Sequence, residues 1–323
     1  MTVNWDEMFG IPLDGVPKNK IEGVVDYDEI DNSSPENKVN GKMPKKFVRM
    51  NSKYFERFFA ERAKGKISYE TCFTAEDDSM GFIPNYVPAL VKQRSMKRDD
   101  IHETFAPAVL NCFGVPTVFN TTCEDEKGYG YIASIDFIKP GEKFALLSEI
   151  GNTVDDFGYR NNLEESLKNV SNVIVGYHEK LGYSLSKETY DVMLADFVKS
   201  YLTRFCLMGD CDFTPRNYGL LENAKTKTIR TAPNYDFELC FRNDPTEKIE
   251  NDIIFATENY PEIMEEFAKK LELFTKKNNG VPYYETLHDE ICEDTKYRQV
   301  ILDALQKNSK QILKVYENQK VKI

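Results

Sequence analysis

The sequence predicts an α+β fold, with a small β-rich lobe, a larger helical lobe after it, and a junction near residues 138–141. Three observations point there. Short runs rich in β-branched and aromatic residues are confined to about 67–137. Beyond Lys139-Pro140-Gly141 the apolar residues recur at helical spacing instead. And 323 residues is a length at which one core commonly divides in two. The chain is accordingly divided into an N-terminal extension with a helix (1–66), the β-rich lobe (67–139) and the helical lobe (140–323).

Residues 1–42 are acidic and rich in Asn, Asp, Pro and Gly, as in Asp31-Asn32-Ser33-Ser34-Pro35, and read as an irregular extension. Met43 to Lys64 carries Phe47, Met50, Tyr54, Phe58 and Phe59 near helical spacing and stops at Gly65, which predicts a helix. Tyr86-Val87-Pro88-Ala89-Leu90-Val91 reads as a strand, with Pro88 favouring an edge or a strand start. Asp99 to Gly114 reads as a helix with acidic residues in its first turn, which suits the helix dipole. Thr117 to Thr122 and Tyr131 to Ile138 read as strands joined by a glycine-containing hairpin over Glu124 to Gly130. Amphipathic helices follow over Asn161–Leu181, Ser186–Met208 (Ser186 as N-cap), 261–277 and 295–317.

Composition bounds the class. A net charge of −11 disfavours a large nucleic-acid footprint, which needs a dense positive face. One local exception lies between Lys45 and Lys66, with eight Lys/Arg against Glu56 and Glu61. It reads either as the solvated face of a helix or as a docking surface for an acidic partner. Seven scattered cysteines without a CxxC pair fit a reducing compartment. No run of about 18 apolar residues and no basic-then-apolar leader occurs, so no membrane contact and a cytoplasmic location are expected.

The chemistry-bearing residues cluster after the second long helix. Gly209-Asp210-Cys211-Asp212-Phe213-Thr214-Pro215-Arg216-Asn217 sets an Asp and an Asn five apart, and Ala232-Pro233-Asn234-Tyr235-Asp236-Phe237 brings a further Asp past the next strand. Phosphoryl transfer needs such a set: a carboxylate to accept or orient the attacking hydroxyl, and an amide oxygen with a second carboxylate to hold Mg²⁺ against phosphates. Asp212…Asn217 has the D-x-x-x-x-N spacing, and Asp236-Phe237-Glu238 has a DFG-like turn with Glu in place of Gly. Asp210 lacks that spacing to Asn217. Singly, each residue could equally be a turn, cap or ion-pair residue; the linked order carries the signal.

The stretch G-D-C-D-F-T-P-R-N-Y-G-L-L followed by A-P-N-Y-D-F-E-L-C resembles the HipA-like serine/threonine kinases, including their CtkA-like branch. The resemblance is tight over about 205–241 and looser over 86–150. It implies a bilobal protein-kinase-like fold, ATP and Mg²⁺ as cofactors, Asp212 as catalytic residue, and Asn217 and Asp236 as metal ligands. It also implies a strand lysine on the nucleotide phosphates, Lys92, paired with a helix glutamate, Glu103, and a hinge at Asp136-Phe137-Ile138 that meets the adenine. Thr214 stands where many members carry His. No G-x-G-x-x-G occurs; the phosphate-covering position falls on Thr74–Gly81, where Ser79 is an autophosphorylation candidate. A protein substrate and an antitoxin-like regulator are the implied partners.

Three other readings remain open at this point. A small-molecule kinase is one, with Glu247, Glu250, Asp252, Glu262, Glu265 and Glu266 attracting a cationic substrate. A pseudokinase is another, and a metal-dependent hydrolase built on Asp210, Asp212, Asp236 and Glu238 is the last.

Overall fold

The computed structural model describes residues 22–24, 27–30, 45–63, 69–73, 83–93, 97–124, 130–151, 157, 161–241, 246–292 and 297–322. The Thr74–Gly81 segment, with Ser79, lies outside the described residues. A six-stranded sheet comes first: β1 (Glu22–Val24), β2 (Tyr27–Ile30), β3 (Lys45–Asn51), β4 (Tyr86–Gln93), β5 (Asn120–Glu124) and β6 (Gly130–Ile135), in the order β1-β5-β6-β4-β3-β2. The pairings are antiparallel except for β1 with β5.

Two sequence expectations are corrected here. The helix expected from Met43 begins only at α1 (Glu56–Ala63), after a 3₁₀ turn at Ser52–Phe55. Lys45–Asn51 is strand instead, because seven residues pair with β4, from Lys45↔Lys92 to Asn51↔Tyr86. The stop signal inside the run is Asn51, whose side chain accepts from Lys53 N at 3.0 Å and turns the strand into the helix. Nor is 1–42 wholly irregular, since β1 and β2 supply the two short edges of the sheet. The basic run is not all solvated: Arg57 and Glu61 are buried and bonded to each other at 2.7 Å.

Pro88 sits in a central strand rather than at an edge. Its carbonyl accepts Asp136 N at 2.9 Å, and the carbonyl of Asp136, which an ordinary residue 88 would have engaged, takes Cys72 N instead. The ladder therefore loses no partner.

The helix α2 (Lys97–Cys112) starts two residues before the expected Asp99 and ends at Gly114, whose φ of +69° is a left-handed cap. From Ile101 to Phe113 every residue is buried, so α2 is a core helix and not a surface one. Phe113 packs against Phe267 and Phe274 of the helical region, while α2 also borders β5.

A second sheet, β7 (Glu142–Leu146), β8 (Gly219–Asn223) and β9 (Thr228–Thr231), opens the helical region in the order β7-β8-β9. The helices are α3 (Leu147–Ile150), α4 (Leu163–Leu181), α5 (Lys187–Tyr201), α6 (Thr246–Asn259) and α7 (Pro261–Thr275). A small hairpin, β10 (Lys277–Asn278) with β11 (Val281–Pro282), leads to α8 (Tyr283–Ile291) and α9 (Arg298–Lys320). Asn162 and Glu165 form a capping box on α4, and Ser186 caps α5 as expected. The helix expected to run to Met208 changes character at Leu202–Leu207, one π-helical turn closed by Met208 N to Thr203 O at 3.0 Å.

Apolar side chains form two clusters. One, including Met50, Phe58, Val87, Val91 and Ile135, lies on the six-stranded sheet; the other runs from α2 through the helical region. All seven cysteines are free. Among the described residues no helix is long and apolar enough to cross a membrane.

Candidate active site

Strand alternation decides where Lys92 points. Val87, Ala89 and Val91 belong to the sheet core, so Lys92 falls on the opposite face, toward α2. There its ammonium meets Glu103 at 2.7 Å, Asp236 at 2.8 Å and Glu238 at 3.5 Å. Burial alone would depress Lys92; Glu103 and Asp236 outweigh it and hold the amine above its usual range.

Glu103 is fixed by a device that starts with a proline. Pro107 has no N–H to give the carbonyl four residues back, so Glu103 O is left as an acceptor inside the helix. Asn120 fills it: its Nδ2 donates to Glu103 O at 2.8 Å and to Glu103 Oε2 at 3.2 Å. Ser134 Oγ donates to Asn120 Oδ1 at 2.6 Å and so fixes which way the amide faces. The same Oε2 accepts Phe237 N at 3.1 Å, tying α2 to the loop that carries Asp236. His102 adds a second tie, its Nδ1 lying 3.0 Å from Glu238 O.

Asp236 itself has a φ of +59°, the left-handed region that Asp and Asn enter more readily than other side chains. Bonds on either side hold it there, Asp236 O accepting from Arg204 Nη2 at 2.9 Å and Phe237 N donating to Glu103 Oε2. Nearby, Asn217 Nδ2 donates to Asp212 Oδ2 at 2.9 Å and to Asp212 O at 3.0 Å. Burial, then Asp210, then Asp236 raise Asp212 to about 6, so the two loops feel each other electrostatically. Asp210 is spoken for: with 1% of its surface exposed, it is ion-paired to the fully buried Arg204 at 2.6 Å. That separates it in kind from Asp212, which stays partly exposed.

The structure thus gathers Lys92, Glu103 and Asp236 into one ion-paired group, and Asp212 with Asn217 into another beside it. Asp136-Phe137-Ile138 lies where β6 leaves its sheet, before β7. Several of its polar groups serve the protein: Asp136 N and O bond Pro88 and Cys72, and Ile138 N donates to Asp136 Oδ1 at 3.0 Å. Burial raises the Asp136 carboxyl, while the amides of Ile138 and Phe137 oppose the rise.

Among the described residues no three His, Cys, Asp or Glu side chains converge as a metal cage. With Asp210 bound to Arg204, the four-carboxylate hydrolase reading loses a member. The oxygens of Asn217 and Asp236 still suit Mg²⁺, a hard cation that takes one or two protein ligands and leaves the rest to phosphates and water. Binding of Asn217 Nδ2 to Asp212 turns its Oδ1 away from that carboxylate, as a ligand role requires.

Sequence reasoning misses Arg204, Pro107, Asn120 and Ser134. For Arg204 a signal exists. It is the one charge in Tyr201-Leu202-Thr203-Arg204-Phe205-Cys206-Leu207-Met208, and a cation in such a run calls for a buried carboxylate. The others act through backbone and amide geometry that leaves no pattern in one sequence.

No family model matches the sequence, and no curated protein matches it. Among solved structures, the Helicobacter pylori proinflammatory kinase CtkA is similar over 75% of this chain and 93% of its own, with TM-score 0.50 and 15% identity. HipA of Shewanella oneidensis MR-1, from a toxin–antitoxin complex with HipB and operator DNA, is similar over 71% of this chain and 58% of its own, with TM-score 0.41 and 9% identity. The chain has the mixed α/β, kinase-like fold of CtkA, the branch that its motifs resemble.

Proposed function

We propose that this protein is an ATP- and Mg²⁺-dependent phosphotransferase acting on a protein serine or threonine, its own included. The observation that carries the reading is the pair of adjoining groups, Lys92–Glu103–Asp236 and Asp212–Asn217, on a kinase-like fold. Lys92 holds the nucleotide phosphates, exchanging its contacts with Asp236 and Glu238 for phosphate oxygens, while Glu103 keeps the amine in place. Asp212 takes the proton of the attacking hydroxyl; raised only to about 6, it is mostly ionised at neutral pH and ready to do so. The hydroxyl oxygen bonds to the γ-phosphorus as the β–γ bridging P–O bond breaks, giving ADP and a phosphoester. Mg²⁺, held by Asn217 and Asp236, supplies charge neutralisation on the phosphates.

A protein acceptor is preferred to a cationic metabolite because the acidic set weakens on inspection. Asp252 is buried, binding Leu163 N and Tyr201 Oη, and Glu265 and Glu266 are each paired with a lysine one turn on. A cytoplasmic setting accords with the free cysteines, and a regulator of the antitoxin kind is the partner to seek. The test is transfer of label from γ-³²P-ATP to the protein itself or a protein acceptor. Asp212→Ala and Asp236→Ala should each abolish transfer with the fold intact; undiminished transfer in both overturns the assignment.

A further inference from the structure

Asp210 and Arg204 form a buried pair that the phosphotransfer scheme does not use, and their contacts run to both loops of the site, the one with Asp212 and Asn217 and the one with Asp236. The guanidinium has no exposed surface and lies between the rings of Phe213 and Phe237, 4.8 and 4.9 Å from their centroids. Nη2 donates to Asp236 O at 2.9 Å, and Nη1 to Tyr235 O at 3.2 Å and Asn217 O at 3.4 Å. Nε donates to Asp210 Oδ2 at 2.7 Å, whose other oxygen accepts Asp212 N at 3.0 Å. One side chain therefore reaches the backbone of both proposed metal ligands directly, and that of the proposed base through one carboxylate.

Arg204 sits in the π-helical turn, Leu202–Leu207. Just beyond that turn Asp210 N returns to Arg204 O at 2.9 Å, closing a seven-residue loop that brings the two side chains face to face. A planar fork with five N–H donors can hold several acceptors at fixed angles; a lysine cannot.

Resting on the kinase reading above, we propose that Arg204, braced by Asp210, is the positioning residue of this site: it sets the separation of Asn217 from Asp236, and so the affinity for the metal–nucleotide complex. The guanidinium touches no substrate. It acts through the carbonyls it holds, as outer-shell partners of metal ligands do.

Two variants test this. R204K keeps the charge and loses the fork. R204M/D210N removes both charges, so no buried carboxylate is stranded, and the amide oxygen introduced at position 210 can still accept Asp212 N. The readout is calorimetric binding of ADP with and without Mg²⁺, with folded content checked by circular dichroism. In both variants Mg²⁺·ADP should bind about tenfold or more weakly than in wild type, with metal-free ADP within about twofold, and transfer at saturating Mg²⁺·ATP should fall about a hundredfold. Asp252→Asn, which perturbs a buried carboxylate bound to Leu163 and Tyr201, should cost stability without that loss of metal dependence. Wild-type Mg²⁺·ADP affinity in folded R204M/D210N overturns the positioning role and leaves the kinase reading standing. Absence of any Mg²⁺-dependent ADP binding in wild type overturns both.

Discussion

Replacing Lys92 by methionine should unfold this protein more readily than it should merely silence it. The substitution fills the volume but removes the cation from beside three carboxylates, at 2.7, 2.8 and 3.5 Å. Their side chains are unequally exposed: Glu103 at 3%, Asp236 at 21% and Glu238 at 27%. Stranding a buried charge costs about 3–5 kcal/mol, whereas partly solvated charges lose far less. Glu103 keeps Phe237 N and Asn120 Nδ2 as donors, so the loss at pH 7.5 should sit near the lower bound, about 3 kcal/mol. The sign of its pH dependence follows. Burial already raises Glu103 and Lys92 opposes the rise. Without Lys92 the folded-state value climbs further above the unfolded one. A carboxyl so raised destabilises at high pH and loses that effect progressively as pH falls from its folded value toward its unfolded one, so the deficit of Lys92→Met should shrink from pH 7.5 to pH 5. Adding Glu103→Gln should recover about 2 kcal/mol at pH 7.5 and less than half of that at pH 5. Urea unfolding followed by far-ultraviolet circular dichroism measures all of this. A Lys92→Met protein within about 0.5 kcal/mol of wild type at pH 7.5, or one that Glu103→Gln does not rescue, would refute the buried-pair argument.

Two further outcomes are expected from the same geometry. Asp212→Asn should lose transfer yet gain stability: the carboxyl titrates near 6 in the folded chain against 3.8 for a free one, so its ionised form is disfavoured above pH 6 and the penalty vanishes below 3.8. After discounting for its solvent exposure, the variant should be about 1 kcal/mol more stable than wild type at pH 7.5 and equal to it at pH 3.5, by the same unfolding measurement. Gly219→Ala should cost about 2–4 kcal/mol, because a Cβ there would press on the Phe144 ring and lie 2.8 Å from Ala145 O, where β8 pairs with β7; thermal unfolding within about 1 °C of wild type would contradict it.

What the sequence reveals, and what it withholds, follows from how each element is stabilised. α4 and α5 are legible because their apolar spacing is regular and, for α5, agrees with the N-cap chemistry of Ser186. β3 reads falsely as helix because Phe47, Met50 and Tyr54 imitate a helical stripe, while the pairing that makes it a strand involves β4, some forty residues away. β7, Glu142-Lys143-Phe144-Ala145-Leu146, escapes notice because it is only half-buried and shows no clean alternation. Similar limits apply at the site. Asp212, Asn217 and Asp236 stand out through linked spacing. The supports of Glu103 come instead from a proline's missing donor and an amide oriented by Ser134, both defined only once β5 and β6 pass alongside α2.

The charge balance of the site bears on whether this fold is active or a scaffold. Among the described residues, Glu103, Asp210, Asp212, Asp236 and Glu238 bring five carboxylates to the site, against the cations of Lys92 and Arg204. Arg204 is ion-paired to Asp210 and Lys92 is shared among three acids, so among the described residues no cation pairs directly with Asp212, and burial, then Asp210 and Asp236, raise its proton affinity. A site with that surplus repels a bare triphosphate. The chain also lacks the glycine-rich loop whose amides would otherwise draw phosphate oxygens in. Both features are tolerable only if divalent cation and nucleotide enter together, each offsetting what the other cannot. An active kinase of this build should therefore show reciprocal coupling, with Mg²⁺ tightening ADP binding by about tenfold or more and ADP tightening Mg²⁺ by the same factor. A scaffold that kept the fold for other reasons has no cause to preserve that reciprocity. Titrating each ligand in the absence and presence of the other measures it; equal ADP affinity with and without Mg²⁺ would mean that the surplus charge is not a metal-binding device.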